Sequence, residues 1–120
     1  MEDLAEIISG RLLRFAAGCI RLAGRVSRSY PGRYVADQLI RSSASSGANY
    51  QEACGAESRA DFVHKLGIVL KELKESMYWL SLIREAGLAT ETELKPLLDE
   101  VGELTRIAAK SVITAKSRLK

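Results

Sequence analysis

The 120-residue chain carries 18 Lys and Arg against 15 Asp and Glu, a net charge of +3, with 47% hydrophobic residues. That length fits one domain over 1–120, and the composition excludes a disordered or collagen-like chain. No apolar run approaches the roughly 20 residues that cross a bilayer, and Met1-Glu2-Asp3-Leu4 places acids where a signal peptide is basic, predicting a cytoplasmic protein without a membrane partner.

The first helix is expected from Asp3 to Arg28. Ile8, Leu12, Phe15, Cys19, Leu22 and Val26 recur at alternating spacings of four and three, the seam of a bundle helix. Ser29-Tyr30-Pro31-Gly32 reads as a stop and turn. A second helix follows from Arg33 to Gly55, with the stripe Val35, Leu39, Ser42, Ser46, Asn49 and Ala53. Four serines within 42–46 are poor helix formers, but the unbroken register argues for a helix held by its neighbours. Ser42, Ser46 and Asn49 therefore form an expected polar core that fixes helix register.

Ser58 caps the third helix, with Asp61 in its first turn. Phe62, Leu66, Val69, Leu73, Leu80 and Ile83 form its main stripe. Val63, Leu70, Met77 and Tyr78 add a second apolar strip, and Gly87 ends the helix. Thr90-Glu91-Thr92-Glu93 is a capping box that opens the fourth helix. Leu94, Leu98, Val101, Leu104, Ala108, Ser111, Ala115 and Leu119 carry it onward. Acids crowd its first half, and the bases Arg106, Lys110, Lys116, Arg118 and Lys120 fill the second, as the helix dipole favours. Short connections make successive helices antiparallel. The fold class is all-α, an antiparallel up-and-down four-helix bundle. Arg41 and Glu52 on the second helix are placed to pair with Glu72 and Lys65 on the third.

The first helix has more apolar surface than one core accounts for. Leu13, Ala16, Ala17, Ile20 and Ala23 widen its apolar arc, which is normal for a helix buried on two sides. Self-association explains this, with Leu13, Ala16, Ala17, Ile20, Val63, Leu70 and Met77 as interface candidates. The remaining arc, about 100° wide, carries Arg11, Arg14, Arg21, Arg25 and Arg28, and Arg33 follows across the turn. Arginine contacts phosphate well, so one reading is an RNA- or DNA-binding surface. The other is a solvated face paired with acids of neighbouring helices or subunits. Tyr30 and Tyr34 are the aromatic candidates nearby for stacking on bases.

Catalytic and metal constellations are missing from the pattern. Di-iron bundles need inward Glu residues and Glu-x-x-His pairs, but His64 is the sole histidine and Asp61 precedes it. Cys19 with His64 lacks an orienting acid, and the serines lack a glycine-rich elbow. Cys19 and Cys54 are too distant in sequence for a CxxC pair and read as reduced thiols. Neither an enzyme nor a cofactor is expected.

Arg41-Ser42, Ser46, Asn49, Glu52-Ala53, Gly55-Ala56-Glu57-Ser58, Asp61-Phe62, His64-Lys65-Leu66, Lys71-Glu72 and Tyr78-Trp79-Leu80 together carry a resemblance. The chain resembles the four-helix-bundle proteins called 23S rRNA intervening-sequence proteins, most densely from Gln38 to Leu88. The resemblance implies a homopentamer, a link to ribosomal RNA and no established enzymatic activity. An architectural likeness to the basic pentameric accessory protein of diversity-generating retroelements adds a nucleic-acid-processing protein as a partner class. The expected function is a non-enzymatic oligomer that binds RNA or a nucleoprotein through the first helix. The alternative is a protein-interaction scaffold without direct nucleic-acid binding.

Overall fold

The computed structural model describes residues 3–119. Lys120, which the charge pattern places in the basic half of the last helix, lies outside them, as do Met1 and Glu2. Four helices and no strand occur among the described residues: α1 (Leu4–Val26), α2 (Tyr30–Cys54), α3 (Arg59–Glu85) and α4 (Glu91–Ser117). Side chains define each start. Asp3, Ser29, Ser58 and Thr90 accept hydrogen bonds from the amides of Glu6, Gly32, Asp61 and Glu93, satisfying amides that have no partner within the helix. At Thr90 the capping box is complete, because Glu93 also accepts from the Thr90 backbone amide at 3.0 Å.

The α1/α2 corner is tighter than the expected turn. Ser29 is already the cap and Pro31 sits in the first turn of α2, where its fixed φ suits a helix and its missing N–H costs nothing. A Cβ on Gly32 would lie 1.9 Å from the Val26 carbonyl oxygen, so only glycine permits this approach. At the α3/α4 corner, Gly87 takes φ 67°. The Leu88 and Gly87 amides bond back to the carbonyls of Ile83 and Arg84, closing α3 in a Schellman motif.

Connections at 27–29, 55–58 and 86–90 are too short to do more than reverse the chain. Each consecutive pair therefore packs side by side and antiparallel. α4 returns to α1 to close the square. Overall extents are 49 × 29 × 19 Å. The seams meet in one core that includes Leu12, Leu22, Leu39, Leu73, Leu80 and Leu104. A smaller cluster of Ala53, Leu66, Val112 and Ala115 lies at the end where α2 passes into α3.

α2 and α3 are joined through small polar residues. Ser42, Ser43, Ser46 and Ser76 are fully buried. The Ser76 hydroxyl donates to Ser42 Oγ at 2.8 Å, and Ser46 Oγ donates to the Ser43 carbonyl at 2.7 Å. No buried side-chain nitrogen or oxygen among the described residues lacks a partner, as a polar core must arrange. The expected trio is therefore redrawn. Ser42 and Ser46 are in the ladder, while Asn49 is half-buried and its amide bonds back to Ser45 of its own helix at 2.9 Å. The place next to α1 belongs to Ser43, against Cys19.

Candidate nucleic-acid interface

α1 presents three surfaces, and the third carries the arginines. Ile8, Leu12, Phe15, Cys19, Leu22 and Val26 are buried. Arg14 and Arg21 also stand on α1 and Arg28 lies in the connection after it, while Arg11 and Arg25 reach the flank that meets α4. The acids of α4's first half wait there. Arg11 bonds both carboxylate oxygens of Glu100, at 3.0 and 2.7 Å, and reaches Glu103 at 3.0 Å. Arg25 Nε bonds Glu93 at 2.5 Å. Between these two pairs Leu97 seats against Gly18, where a Cβ would come within 2.8 Å of it.

Protonation follows this geometry. Bonding to Glu100, and then to Glu103, holds the Arg11 guanidinium above its ordinary value. The Thr90 backbone amide, reinforced by Arg25, holds the Glu93 carboxyl below the usual range. Arg11 and Arg25 thus tie α4 to α1. Arg14, Arg21, Arg28 and Arg33 are exposed, and none makes an ion pair among the described residues. Arg33 lies over the ring of Tyr30, 5.5 Å from its centroid, close enough for a cation–π contact. The six predicted arginines are therefore divided into two that brace the fold and four that face outward.

The interface candidates are placed on two faces. Leu13 (71% exposed) and Ile20 (48%) flank an apolar groove of about 380 Å³ between α1 and α2. Ala17 is half-buried beside them, and Ala16 is buried in the groove floor. Val63, Leu70 and Met77 on α3 are half-buried. Leu70 and Met77 pack on the main core, and Val63 packs on the smaller one. The strip on α3 is thus partly covered by the chain's own helices.

Arg41 and Glu52 find the partners the sequence named. Arg41 bonds Glu72 at 3.0 Å and also pairs with Glu75. Lys65 meets Glu52 at 2.9 Å, a bond that raises the lysine's pKa. Glu75 accepts in addition from the indole N–H of Trp79 at 3.0 Å. Trp79 packs edge to face with Tyr78 and with Tyr34 of α2. Sequence reasoning noted Tyr34 as an aromatic near the turn and put Tyr78 in an apolar strip, but did not bring the three rings together.

Cys19 is buried and Cys54 exposed. Burial pushes the Cys19 thiol up to about 12, opposed in smaller measure by Ser43. Tyr50 is likewise pushed up to about 12, first by burial. His64 is exposed. Among the described residues, no three His, Cys, Asp or Glu are grouped to hold a metal ion, and no helix is long and apolar enough to cross a membrane.

Residues 13–110 match the family model described as 23S rRNA-intervening sequence protein. The chain belongs to that family. The crystal structure of a protein with unknown function from the S23 ribosomal protein family of Bacteroides thetaiotaomicron is similar to it. That similarity has a TM-score of 0.83 and 30% identity, covering 90% of this chain and 96% of that one. No curated protein matches the sequence. Family membership brings no known catalytic activity with it.

Proposed function

We propose that this member of the 23S rRNA-intervening sequence protein family is a non-enzymatic, cytoplasmic homo-oligomer that binds RNA or a nucleoprotein through α1. The carrying observation is the division of its arginines. Arg11 and Arg25 are occupied by glutamates of α4, while Arg14, Arg21, Arg28 and Arg33 remain exposed without ion pairs among the described residues. A stripe needed only to hold the bundle together has no use for the second set. Guanidinium groups fork onto phosphate oxygens, and several acting together release several counterions. The apolar α1/α2 groove supports assembly of identical chains, read as a pentamer, which repeats the stripe around a common axis.

Binding of a ribosomal RNA fragment across a salt series tests the reading. Four phosphate contacts lower affinity by about 50-fold between roughly 50 and 200 mM salt. Arg21→Glu with Arg28→Glu removes binding at the higher salt, whereas Arg25→Glu acts mainly on stability. Light scattering of the same sample gives five times the 13.2 kDa chain mass. Absence of binding at low salt, or equal binding by the double variant, overturns RNA recognition; a monomer at high concentration overturns assembly.

A further inference from the structure

An aromatic face crosses the α2/α3 seam, on the side of the bundle away from the α1/α4 ion pairs. Tyr34 of α2 is 62% exposed and Tyr78 of α3 is 59% exposed, yet both lean on the half-buried Trp79. The ring centroids are 6.1 and 5.1 Å apart at 82° and 76°. This T-shaped contact is a favoured aromatic geometry, and it leaves most of both tyrosine rings open to solvent. Trp79 is fixed from below: its N–H is bonded by Glu75, Glu75 is held by Arg41, and Arg41 also holds the buried Glu72. The rings are therefore preorganised.

Cations border them. Tyr30, 79% exposed, stands one turn before Tyr34 on the same face of α2, with Arg33 stacked over it. Lys74, one turn before Tyr78 on α3, is exposed and makes no ion pair among the described residues. Asp37 occupies the next turn of α2 and would repel a phosphate. The cationic path therefore leads back to Arg33 and the α1/α2 corner, where Arg28 ends the arginine stripe.

We propose that Tyr30, Tyr34 and Tyr78, with Arg33 and Lys74, form a platform for unpaired nucleotides of an RNA, the bases stacking on the rings and the phosphates meeting the two cations. The proposal rests on the RNA reading above and adds that the RNA is single-stranded at this face. Aromatic rings interleaved with cations are the chemistry of single-strand binding, since every base offers a π-face. The aliphatic α1/α2 groove, by contrast, has the chemistry of helix packing.

Trp79 is the sole tryptophan, so its emission reports on the platform in the intact protein. The probes are an unstructured RNA of about 12 nucleotides and a duplex of the same length. The single strand is expected to bind at least tenfold more tightly and to change Trp79 emission. Tyr34→Ala with Tyr78→Ala weakens single-strand binding about 10- to 100-fold while leaving the salt slope intact. Tyr34→Phe with Tyr78→Phe keeps the rings and restores binding, which separates stacking from a folding defect. If the Ala pair binds like wild type while the Arg21, Arg28 variant does not, the platform is wrong and the arginine reading survives. If no RNA binds, both fall. If Trp79 is shielded without RNA and the Ala pair dissociates the assembly, the face is an interface between copies and the proposal is overturned.

Discussion

The α2/α3 seam and the α1/α4 seam join helices of similar length and both carry ion pairs, but the first adds a buried hydroxyl contact between its helices. Serine hydroxyls bonded inside the protein line the first, and small side chains let the helices approach closely. Its one buried carboxylate, Glu72, is met by Arg41. The second is closed by long side chains at the surface, Arg11 to Glu100 and Glu103 and Arg25 to Glu93. A small cavity of about 50 Å³ lies among all four helices, lined by Leu12, Tyr50, Leu73 and Leu104 among others. Seams built on buried hydroxyls are intolerant of volume and of unmet polar atoms; seams built on exposed ion pairs tolerate both. The helices therefore approach more closely at the α2/α3 seam, on which Tyr34, Tyr78 and Trp79 lie. The arginine flank is held more lightly.

Substitution inside the serine ladder gives the largest contrast. Ser76→Leu forces extra volume into a filled seam and leaves Ser42 without its partner. It should cost about 3 kcal/mol, read from the urea midpoint at unchanged m-value. Equal tolerance of Ser76→Leu and Ser76→Ala would show that the seam is not tightly filled. On the opposite side, Arg11→Ala removes partly exposed ion pairs and should cost about 0.5–1 kcal/mol, with a cycle against Glu100→Ala giving coupling no larger. A loss above about 2 kcal/mol would erase the distinction between the seams.

The smallest expected effect is chemical. Cys54 reacts at once with an aromatic disulfide reagent near pH 8, while Cys19 reacts only on unfolding, so native protein yields one fast thiol per chain. Because the folded-state pKa of Cys19 is raised, its contribution to stability is complete below the ordinary thiol range. It is lost as pH climbs from that range toward about 12. Two fast thiols in native protein would mean that α1 opens away from Ser43.

Much of this was readable in one dimension. Alternating spacings of four and three gave the stripes of α1 and α3, Thr90 and Glu93 declared their cap, and Arg41 and Glu52 pointed to Glu72 and Lys65. The errors have physical causes. Ser29-Tyr30-Pro31-Gly32 has turn composition, but Pro31 is equally suited to a first helical turn, and Gly32 is required by the Val26 carbonyl. A stripe of alternating four and three spacings marks one line on α2, whereas a helix between two neighbours buries a wider arc, so Ser43 is buried and Asn49 only half-buried. Dividing the arginines needed α4's acids, more than sixty residues away in sequence, and nothing local tells which charges meet. The three aromatic rings were hidden for the same reason, since Tyr34 and Trp79 come from different helices.

The order of packing also bears on how the chain reaches this state. Three of the four seams join helices adjacent in sequence, and such low contact order favours folding in microseconds to milliseconds. The α1/α4 seam alone must wait for nearly the whole chain to be gathered. Its ion pairs are therefore expected to form late, so Arg11→Ala should speed unfolding more than it slows folding in a chevron measurement. The arginines that brace the bundle would then act as a light latch, trimming the rate at which the folded chain opens by a few-fold and leaving the speed of its formation to the other three seams.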